Sequence, residues 1–241
     1  MPHLPIHIGC LVFNYQAIDV IGPCDLLNSS SKRLMKGINF YSPIPASTID
    51  AAPEFVFHHI GEKANEPVHL LTSAITLLPT VSVDDTDVLD RLDILLVGGD
   101  SPARSNIPES YKELIRRHVA NRKLLFTTCT GAAVIASSGV LDGKHATVNN
   151  LEYEWVRTRY TAVHWTKEKK WIVDGNIWTA GGAVAGMDMV AHWIKQEFGF
   201  EVLEMAAKQL DFEPRDQDGL FTVLKPRFDG EGRRVASHVF P

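Results

Sequence analysis

Cysteine is scarce in this chain, and Cys10, Cys24 and Cys129 are the three copies among 241 residues. An odd and sparse set of thiols argues against the disulfide framework of small secreted proteins and favours a reducing compartment. The three cysteines also lack the paired spacing that is typical of zinc ligands. We therefore expect a cytoplasmic protein without a structural metal, in which each thiol has to be judged by its own surroundings.

Long apolar runs and an excess of positive charge are also missing. No stretch approaches the roughly 18 apolar residues that cross a bilayer, and the first residues lack the basic segment that opens a signal peptide. The formal net charge is −5 and the sequence pI is about 6.0. This composition lacks the excess of basic residues that binds nucleic acid or an anionic membrane surface. These absences favour a protein that acts on small molecules.

Apolar, β-branched runs alternate with helix-like segments along the chain. Strands are predicted over residues 5–13, 38–45, 93–100, 123–129 and 145–149, and helices over 20–32, 108–123, 130–141, 151–160, 186–199 and 201–212. Short β-rich pieces at 54–60, 67–72 and 75–79 predict a side hairpin, and Asp174-Gly175 predicts a hairpin within 171–182.

Strands that alternate with helices build a mainly parallel sheet with helices on both faces, so the fold class is α/β. No linker or internal repeat interrupts the pattern, and we predict one domain over residues 1–241. Its core runs from about residue 6 to about residue 212, and the polar tail from about 213 to 241 is expected to wrap the surface or fray.

The most informative stretch is LLFTTCTGAAVIASSG at 124–139, where an apolar strand stops at Cys129 and small residues follow at once. A strand that turns directly into a helix makes a tight corner whose residue projects from the carboxyl edge of the sheet. The helix N-terminus there would favour a thiolate, so a lowered thiol pKa is predicted. The alternative is a buried structural thiol, which is a common fate of free cysteine.

The segments VGGD, CTGAAVIASSGVLDGKHATVNN and GNIWTAGGAVAGMD together resemble the ThiJ/PfpI superfamily, whose members are relatives of the class I glutamine amidotransferases. The resemblance runs from about residue 6 to about residue 212. The segment AIDVIGPCDLL, with a Thr directly after Cys129, is similar to the isocyanide hydratase branch. This resemblance implies a flavodoxin-like three-layer sandwich, a homodimer, and cofactor-free chemistry on a small electrophilic substrate.

Residue roles follow from the same resemblance. Cys129 corresponds to the nucleophile, and Asp19 to an acidic residue that hydrogen-bonds the thiol and moves protons. Thr130 corresponds to a residue that faces the substrate, and Gly98 and Gly99 to a loop that offers an amide from the other side. An Asp buried beside a thiol would have a raised pKa and could stay protonated. Judged from the residues alone, Asp19 could instead be a helix N-cap.

The chain departs from many superfamily members at Asn149, which stands where they have a His about twenty residues after the Cys. Because Asn cannot take up a proton at neutral pH, a Cys–His dyad is absent and proton transfer falls to Asp19. Asn149 would then orient the substrate or a water. His145 and His164 remain alternative acid–base groups.

Three functions stay open at this point. The first is a cofactor-free, lyase-type enzyme that hydrates an isocyanide to an N-formamide through covalent catalysis by Cys129. The second is a glyoxalase or another carbonyl-processing enzyme, which the missing His disfavours. The third is a non-enzymatic protein, either a cysteine redox sensor or a sensing domain like those of transcription regulators. Such regulators carry an appended helix-turn-helix module, for which the segment after residue 212 is expected to be too short.

The remaining polar and aromatic features have structural interpretations. His58 and His59 are adjacent, so in a strand they would point to opposite faces, and we assign them to hairpin packing. Asp188 is interpreted as a residue at a helix entry. The tryptophans of the C-terminal half are interpreted as core or dimer packing.

Overall fold

The computed structural model describes residues 4–101, 107–224 and 229–233. The strands are β1 (Ile6–Leu11), β2 (Phe55–Gly61), β3 (Val68–His69), β4 (Thr76–Leu77), β5 (Val81–Ser82), β6 (Ile94–Val97), β7 (Leu124–Thr127), β8 (His145–Ala146), β9 (His164–Trp165), β10 (Trp171–Asp174) and β11 (Ile177–Ala180). The helices are α1 (Ala17–Ser29), α2 (Lys32–Ile38), α3 (Ala46–Ala51), α4 (Thr86–Leu89), α5 (Glu109–Ala120), α6 (Gly131–Ala136), α7 (Tyr153–Arg159), α8 (Ala183–Phe198) and α9 (Phe200–Gln209).

A mainly parallel sheet forms the middle layer, with the strand order β10–β11–β7–β6–β1–β2–β5. Neighbouring strands in it are parallel, except that β10 and β11 form the antiparallel hairpin predicted at Asp174-Gly175. The α/β class and the parallel sheet are thus confirmed. Among the helices of the described residues, none is long and apolar enough to cross a membrane.

Apolar side chains of the central strands alternate between two cores, because successive residues of a strand point to opposite faces. On β6, Ile94 and Leu96 pack with α1, α8 and α9, whereas Leu95 and Val97 pack with α5, α6 and α7. The sheet is therefore buried on both sides, as the near-continuous apolar character of its strands requires.

Two strand predictions were wrong. Residues 38–45 form no strand, since Ile38 ends α2 and two prolines in this segment, Pro43 and Pro45, lack the amide that a ladder needs. Residues 54–60 are not part of the side hairpin but join the main sheet as β2, parallel to β1. The side hairpin itself is present and consists of β3 and β4.

The structure also locates the histidine pair and the tryptophans that the sequence analysis assigned to packing. His58 lies on β2 with its Nε2 2.9 Å from Nδ1 of His7, so it packs within the main sheet rather than a hairpin. Three of the tryptophans are buried in the core, namely Trp171, Trp178 and Trp193.

Asp188 lies inside α8 and is buried, with its Oδ2 2.7 Å from Nζ of Lys170. Its Oδ1 accepts a hydrogen bond from the amide of Arg215. Further along the tail, the main-chain oxygen of Gln217 accepts from the Lys170 amide, and its side-chain amide donates to the carbonyl of Trp171 at the start of β10. Asp188 therefore anchors the start of the C-terminal tail instead of capping a helix. Residues 225–228 and 234–241 of that tail lie outside the described residues.

The carboxyl ends of β1, β6 and β7 meet at one edge of the sheet, because the three strands are adjacent and parallel. The chain continues from β1 into α1, while β6 leads to Gly98 and Gly99 and β7 leads to Cys129. Strand order reverses between β1 and β6, which is the place where open α/β sheets form ligand sites.

Candidate active site

Cys129 forms the corner between the end of β7 at Thr127 and the start of α6 at Gly131. Its φ is 55°, in the left-handed region that residues other than glycine rarely adopt, so the backbone at the thiol is strained. The residue is buried, with 8% of its surface exposed. The predicted strand–Cys–helix corner is present, and its strain is of the kind found at functional sites.

Close backbone packing holds this corner in place. A Cβ added at Gly131 would overlap the carbonyl oxygen of Val97 and would lie 3.0 Å from that of Gly98. The Gly131 amide also donates to the carbonyl of Thr128 at 2.8 Å. Any side chain at this position would therefore push α6 away from the end of β6.

Asn149 contacts the thiol directly. Its Nδ2 donates a hydrogen bond to Sγ of Cys129 at 3.2 Å, and its Oδ1 accepts one from the amide of Leu151 at 2.9 Å. The second bond fixes the orientation of the side-chain amide, because an oxygen and not an NH₂ group has to face the Leu151 amide. Asn149 thus supplies a donor to the sulfur and not a base.

Asp19 lies in the first turn of α1 and is fully buried. Its Oδ2 accepts a hydrogen bond from the Gly99 amide at 2.8 Å, and among the described residues no donor reaches Oδ1. Burial raises the pKa of the Asp19 carboxyl to about 7, against the lowering effect of the Gly99 bond. The N-cap of α1 is Gln16, so the alternative interpretation of Asp19 as an N-cap was wrong.

Gly99 lies between Asp19 and the residue after the thiol. A Cβ at Gly99 would overlap the Thr130 hydroxyl and would lie 2.9 Å from Oδ2 of Asp19. The Thr130 hydroxyl donates to the carbonyl of Asp100 at 2.6 Å. In this arrangement the Gly99 amide donates to Asp19, and an amide offered to a substrate by the loop of Gly98 and Gly99 stays a prediction.

The thiol itself is in a poor environment for a charge. Burial raises the pKa of Cys129 to about 11, and the Asp19 carboxylate raises it too, while hydrogen bonds from Asn149 and from the Thr130 amide lower it. The predicted lowering of the thiol pKa was therefore wrong. Desolvation outweighs the amides at the start of α6, a helix of only six residues. With this pKa the thiol is neutral at pH 7, and a nucleophilic role would require a base to take its proton.

The alternative acid–base groups do not converge on the thiol. His145 and His164 are exposed on β8 and β9 with ring centroids 5.0 Å apart, and Nδ1 of His145 lies 3.6 Å from a carboxylate oxygen of Asp174. The described residues contain no cluster of His, Cys, Asp and Glu that could hold a metal ion.

One residue of the site escaped the sequence analysis. Thr128 is fully buried, and its hydroxyl donates to the main-chain oxygen of Asp19 at 2.9 Å. The contact joins residues 109 positions apart, so no local pattern reveals it. Its position directly before Cys129 is the one feature of the sequence that could have indicated a role for Thr128.

A family model described as the DJ-1/PfpI family matches residues 14–196. The chain belongs to the DJ-1/PfpI family. This DJ-1/PfpI chain is 26% identical over 212 residues to the isonitrile hydratase of Pseudomonas putida, a match that covers 88% of this chain and 80% of that protein. It is also 23% identical over 128 residues to the HTH-type transcriptional regulator GbdR of Pseudomonas aeruginosa, covering 53% of this chain and 35% of the regulator.

Solved structures share the fold. The chain is similar to Drosophila melanogaster DJ-1beta with a TM-score of 0.67 and 17% identity, over 87% of this chain and 99% of that chain. An AraC family transcriptional regulator from Pseudomonas putida gives a TM-score of 0.66 and 17% identity, over 86% of this chain and 100% of that chain. The proteins similar to this chain therefore include one named as an enzyme and others named as transcriptional regulators.

Proposed function

We propose that the chain is an enzyme that hydrates an isocyanide to an N-formamide, with Cys129 as the nucleophile. The observation that carries the proposal is the fully buried carboxyl of Asp19, whose pKa is about 7 and which acts electrostatically on the Cys129 thiol. A carboxyl with this pKa can take and return a proton at neutral pH. The similarity to isonitrile hydratase across 88% of the chain supports the substrate class.

The first step forms a thioimidate. Sγ of Cys129 attacks the terminal carbon of the isocyanide while the thiol proton passes to the Asp19 carboxylate. Asp19 then returns this proton to the same carbon, so that the carbon gains one C–S bond and one C–H bond. Transfer of the thiol proton during the attack is needed because the neutral thiol is a weak nucleophile.

The second step releases the product. Water adds to the thioimidate carbon, its oxygen forms the new C–O bond, and one of its protons passes to nitrogen. The C–S bond then breaks, the second water proton returns to the sulfur, and the N-formamide leaves. The Asn149 amide, 3.2 Å from the sulfur, stabilises the negative charge that develops on Sγ as this bond breaks. The backbone amide of Thr130 also donates to this sulfur, and the loop of Gly98 and Gly99 is the candidate for a substrate-facing amide.

The test is turnover of an aryl isocyanide by the purified protein, with the aryl formamide quantified by liquid chromatography. We expect formamide from the wild type and none above background from Cys129→Ala. Cys24→Ala is the matched control, because Cys24 is a second free thiol whose Sγ contacts Cys10 and not the site. Absence of formamide from the wild type would refute the isocyanide substrate. Equal turnover by Cys129→Ala would refute the nucleophile.

A second candidate is a ligand-sensing role, which the similarity to GbdR and to the AraC family structure favours. The redox form of this role is disfavoured, because redox-sensor thiols have low pKa values and burial raises that of Cys129. A sensor would bind a small molecule and release it unchanged. Mass analysis of Cys129 after peroxide treatment separates the redox form, since a sensor would accumulate an oxidised thiol.

A carbonyl-processing enzyme would use the same thiol on a different electrophile. Its discriminating substrate is methylglyoxal in the absence of glutathione. Turnover of methylglyoxal and not of the isocyanide would reverse our order of preference.

We further propose a cytoplasmic homodimer. The small and odd number of cysteines supports a reducing compartment. Sedimentation equilibrium should give twice the chain mass of 26.8 kDa. A single-chain mass would refute the dimer.

A further inference from the structure

Helix α1 carries a proline in its interior. In an α-helix the carbonyl of residue i accepts from the amide of residue i+4, and a proline has no amide hydrogen to give. Pro23 lies inside α1, and the carbonyl four residues before it belongs to Asp19. Because Asp19 is fully buried, water does not readily replace the missing donor, and an unpaired carbonyl there would be costly.

The donor comes from the other side of the site. The hydroxyl of Thr128 donates to the main-chain oxygen of Asp19 at 2.9 Å. The methyl group of Thr128 faces α8, where a Cβ at Gly186 would overlap it. The side chain is thus held between two helices, with its hydroxyl on α1 and its methyl on α8.

We propose that Thr128 is a positioning residue whose hydroxyl replaces the amide missing at Pro23 and so fixes Asp19 beside the nucleophile. Asp19 is then held at two points, at its main-chain oxygen by Thr128 and at Oδ2 by the Gly99 amide. Thr128 is bonded to Cys129 in the chain, so any movement of the corner is transmitted to Asp19. The catalytic meaning of this link rests on the proposed function, but the link itself does not.

Three variants separate the contribution of the Thr128 hydroxyl from the contributions of the Thr128 methyl group and of Pro23. Thr128→Val keeps the shape against Gly186 and removes the hydroxyl. Thr128→Ser keeps the hydroxyl and removes the methyl. Pro23→Ala restores the amide that the Asp19 carbonyl lacks, so in this background the hydroxyl of Thr128 becomes redundant.

The primary readout needs no substrate. It is the rate of iodoacetamide alkylation at Cys129 from pH 5 to 10, with mass spectrometry separating this thiol from Cys10 and Cys24. Ionisation of Asp19 raises the pKa of Cys129 and produces an inflection near pH 7. Two other titratable groups act nearby: the charge of Glu152 also raises the pKa of Cys129, and Tyr15 interacts with Asp19. In Thr128→Val we expect the inflection to move to lower pH, because a loosened carboxyl gains water.

The expected pattern has three parts. Thr128→Val shifts the inflection, Thr128→Ser leaves it near the wild-type pH, and Thr128→Val in the Pro23→Ala background shifts it much less than in the wild type. The proposal is overturned if Thr128→Val matches the wild type, if Thr128→Ser is shifted as far as Thr128→Val, or if the shift is undiminished beside Pro23→Ala. The comparison of Thr128→Val with Thr128→Ser tests the role of the hydroxyl even if Pro23→Ala does not fold.

Turnover supplies the second readout. If the isocyanide is the substrate, Thr128→Val should lower kcat by about 10- to 100-fold with a smaller change in KM, since the acid–base group and not the binding surface is displaced. If the wild type turns over no isocyanide, the proposed function fails while the alkylation profiles still test the link between Thr128 and Asp19.

Discussion

The side-chain amide of Asn149 donates to the sulfur of Cys129 across 3.2 Å, at the position where the resemblance of the sequence implies a histidine. Asn149 supplies a donor and not a base, and the Asp19 carboxylate acts on the same thiol from another element. Under the proposed function, proton transfer and charge stabilisation are divided between these two residues.

Removal of the Asn149 donor should make the thiol harder to ionise. In Asn149→Leu the pKa of Cys129 should rise, and alkylation of Cys129 at pH 8 should slow by about tenfold, because a hydrogen bond to a charged group is worth roughly 1.5 kcal/mol. The neighbouring exposed residue gives a matched control, Asn150→Leu, which should react like the wild type. An unchanged alkylation rate in Asn149→Leu would contradict the assignment.

Isocyanide hydration should depend on the ionisation of Asp19. The thiol proton needs a carboxylate to accept it, so kcat/KM should rise with pH through about 7, the pKa of Asp19. Asp19→Asn should lose this rise and about 10²- to 10⁴-fold of the activity. Asp25→Asn, which changes an exposed carboxyl on the same helix, should retain both. A pH profile that is flat between 6 and 8 in the wild type would count against Asp19 as the base.

The same carboxyl should cost stability at alkaline pH. The folded-state pKa of Asp19, about 7, lies above its ordinary value of 3.8, so its contribution is complete below pH 3.8 and is lost as the pH rises through 7. Between pH 5 and pH 8 the loss is on the order of 2 to 3 kcal/mol. Urea unfolding at both pH values should show that Asp19→Asn loses less stability than the wild type; equal losses would mean that the buried carboxyl does not titrate as stated.

The glycine after the corner should tolerate no side chain. Gly131→Ala places a Cβ on the Val97 carbonyl, and we expect a loss of about 1 to 3 kcal/mol in the free energy of unfolding. Gly37→Ala in α2, where a Cβ meets nothing within 4 Å, should instead stabilise the protein by about 0.5 to 1 kcal/mol. Cys129 alkylation should change in the first variant alone. Similar unfolding curves for the two variants would show that the corner is more adaptable than its contacts indicate.

Parts of the site were predictable because they are local in sequence. The corner at Cys129 follows from an apolar run that meets small residues, and the hairpin at Asp174-Gly175 follows from a turn dipeptide between β-rich runs. The assignment of residues 54–60 failed for the opposite reason. Whether such a run joins the main sheet or a side hairpin depends on its pairing with β1, which no local pattern contains.

The sequence by itself determined the alternation of strands and helices and the position of a thiol at a strand–helix corner, and it has Asn149 where the resemblance implies a histidine. Only the tertiary structure decided the charge state of that thiol and the way in which Asp19 is held. Local reasoning from a helix N-terminus gave a lowered pKa, but burial and the Asp19 carboxylate raise it. Desolvation and contacts such as Thr128 with Asp19, 109 residues apart, arise only when the chain closes on itself.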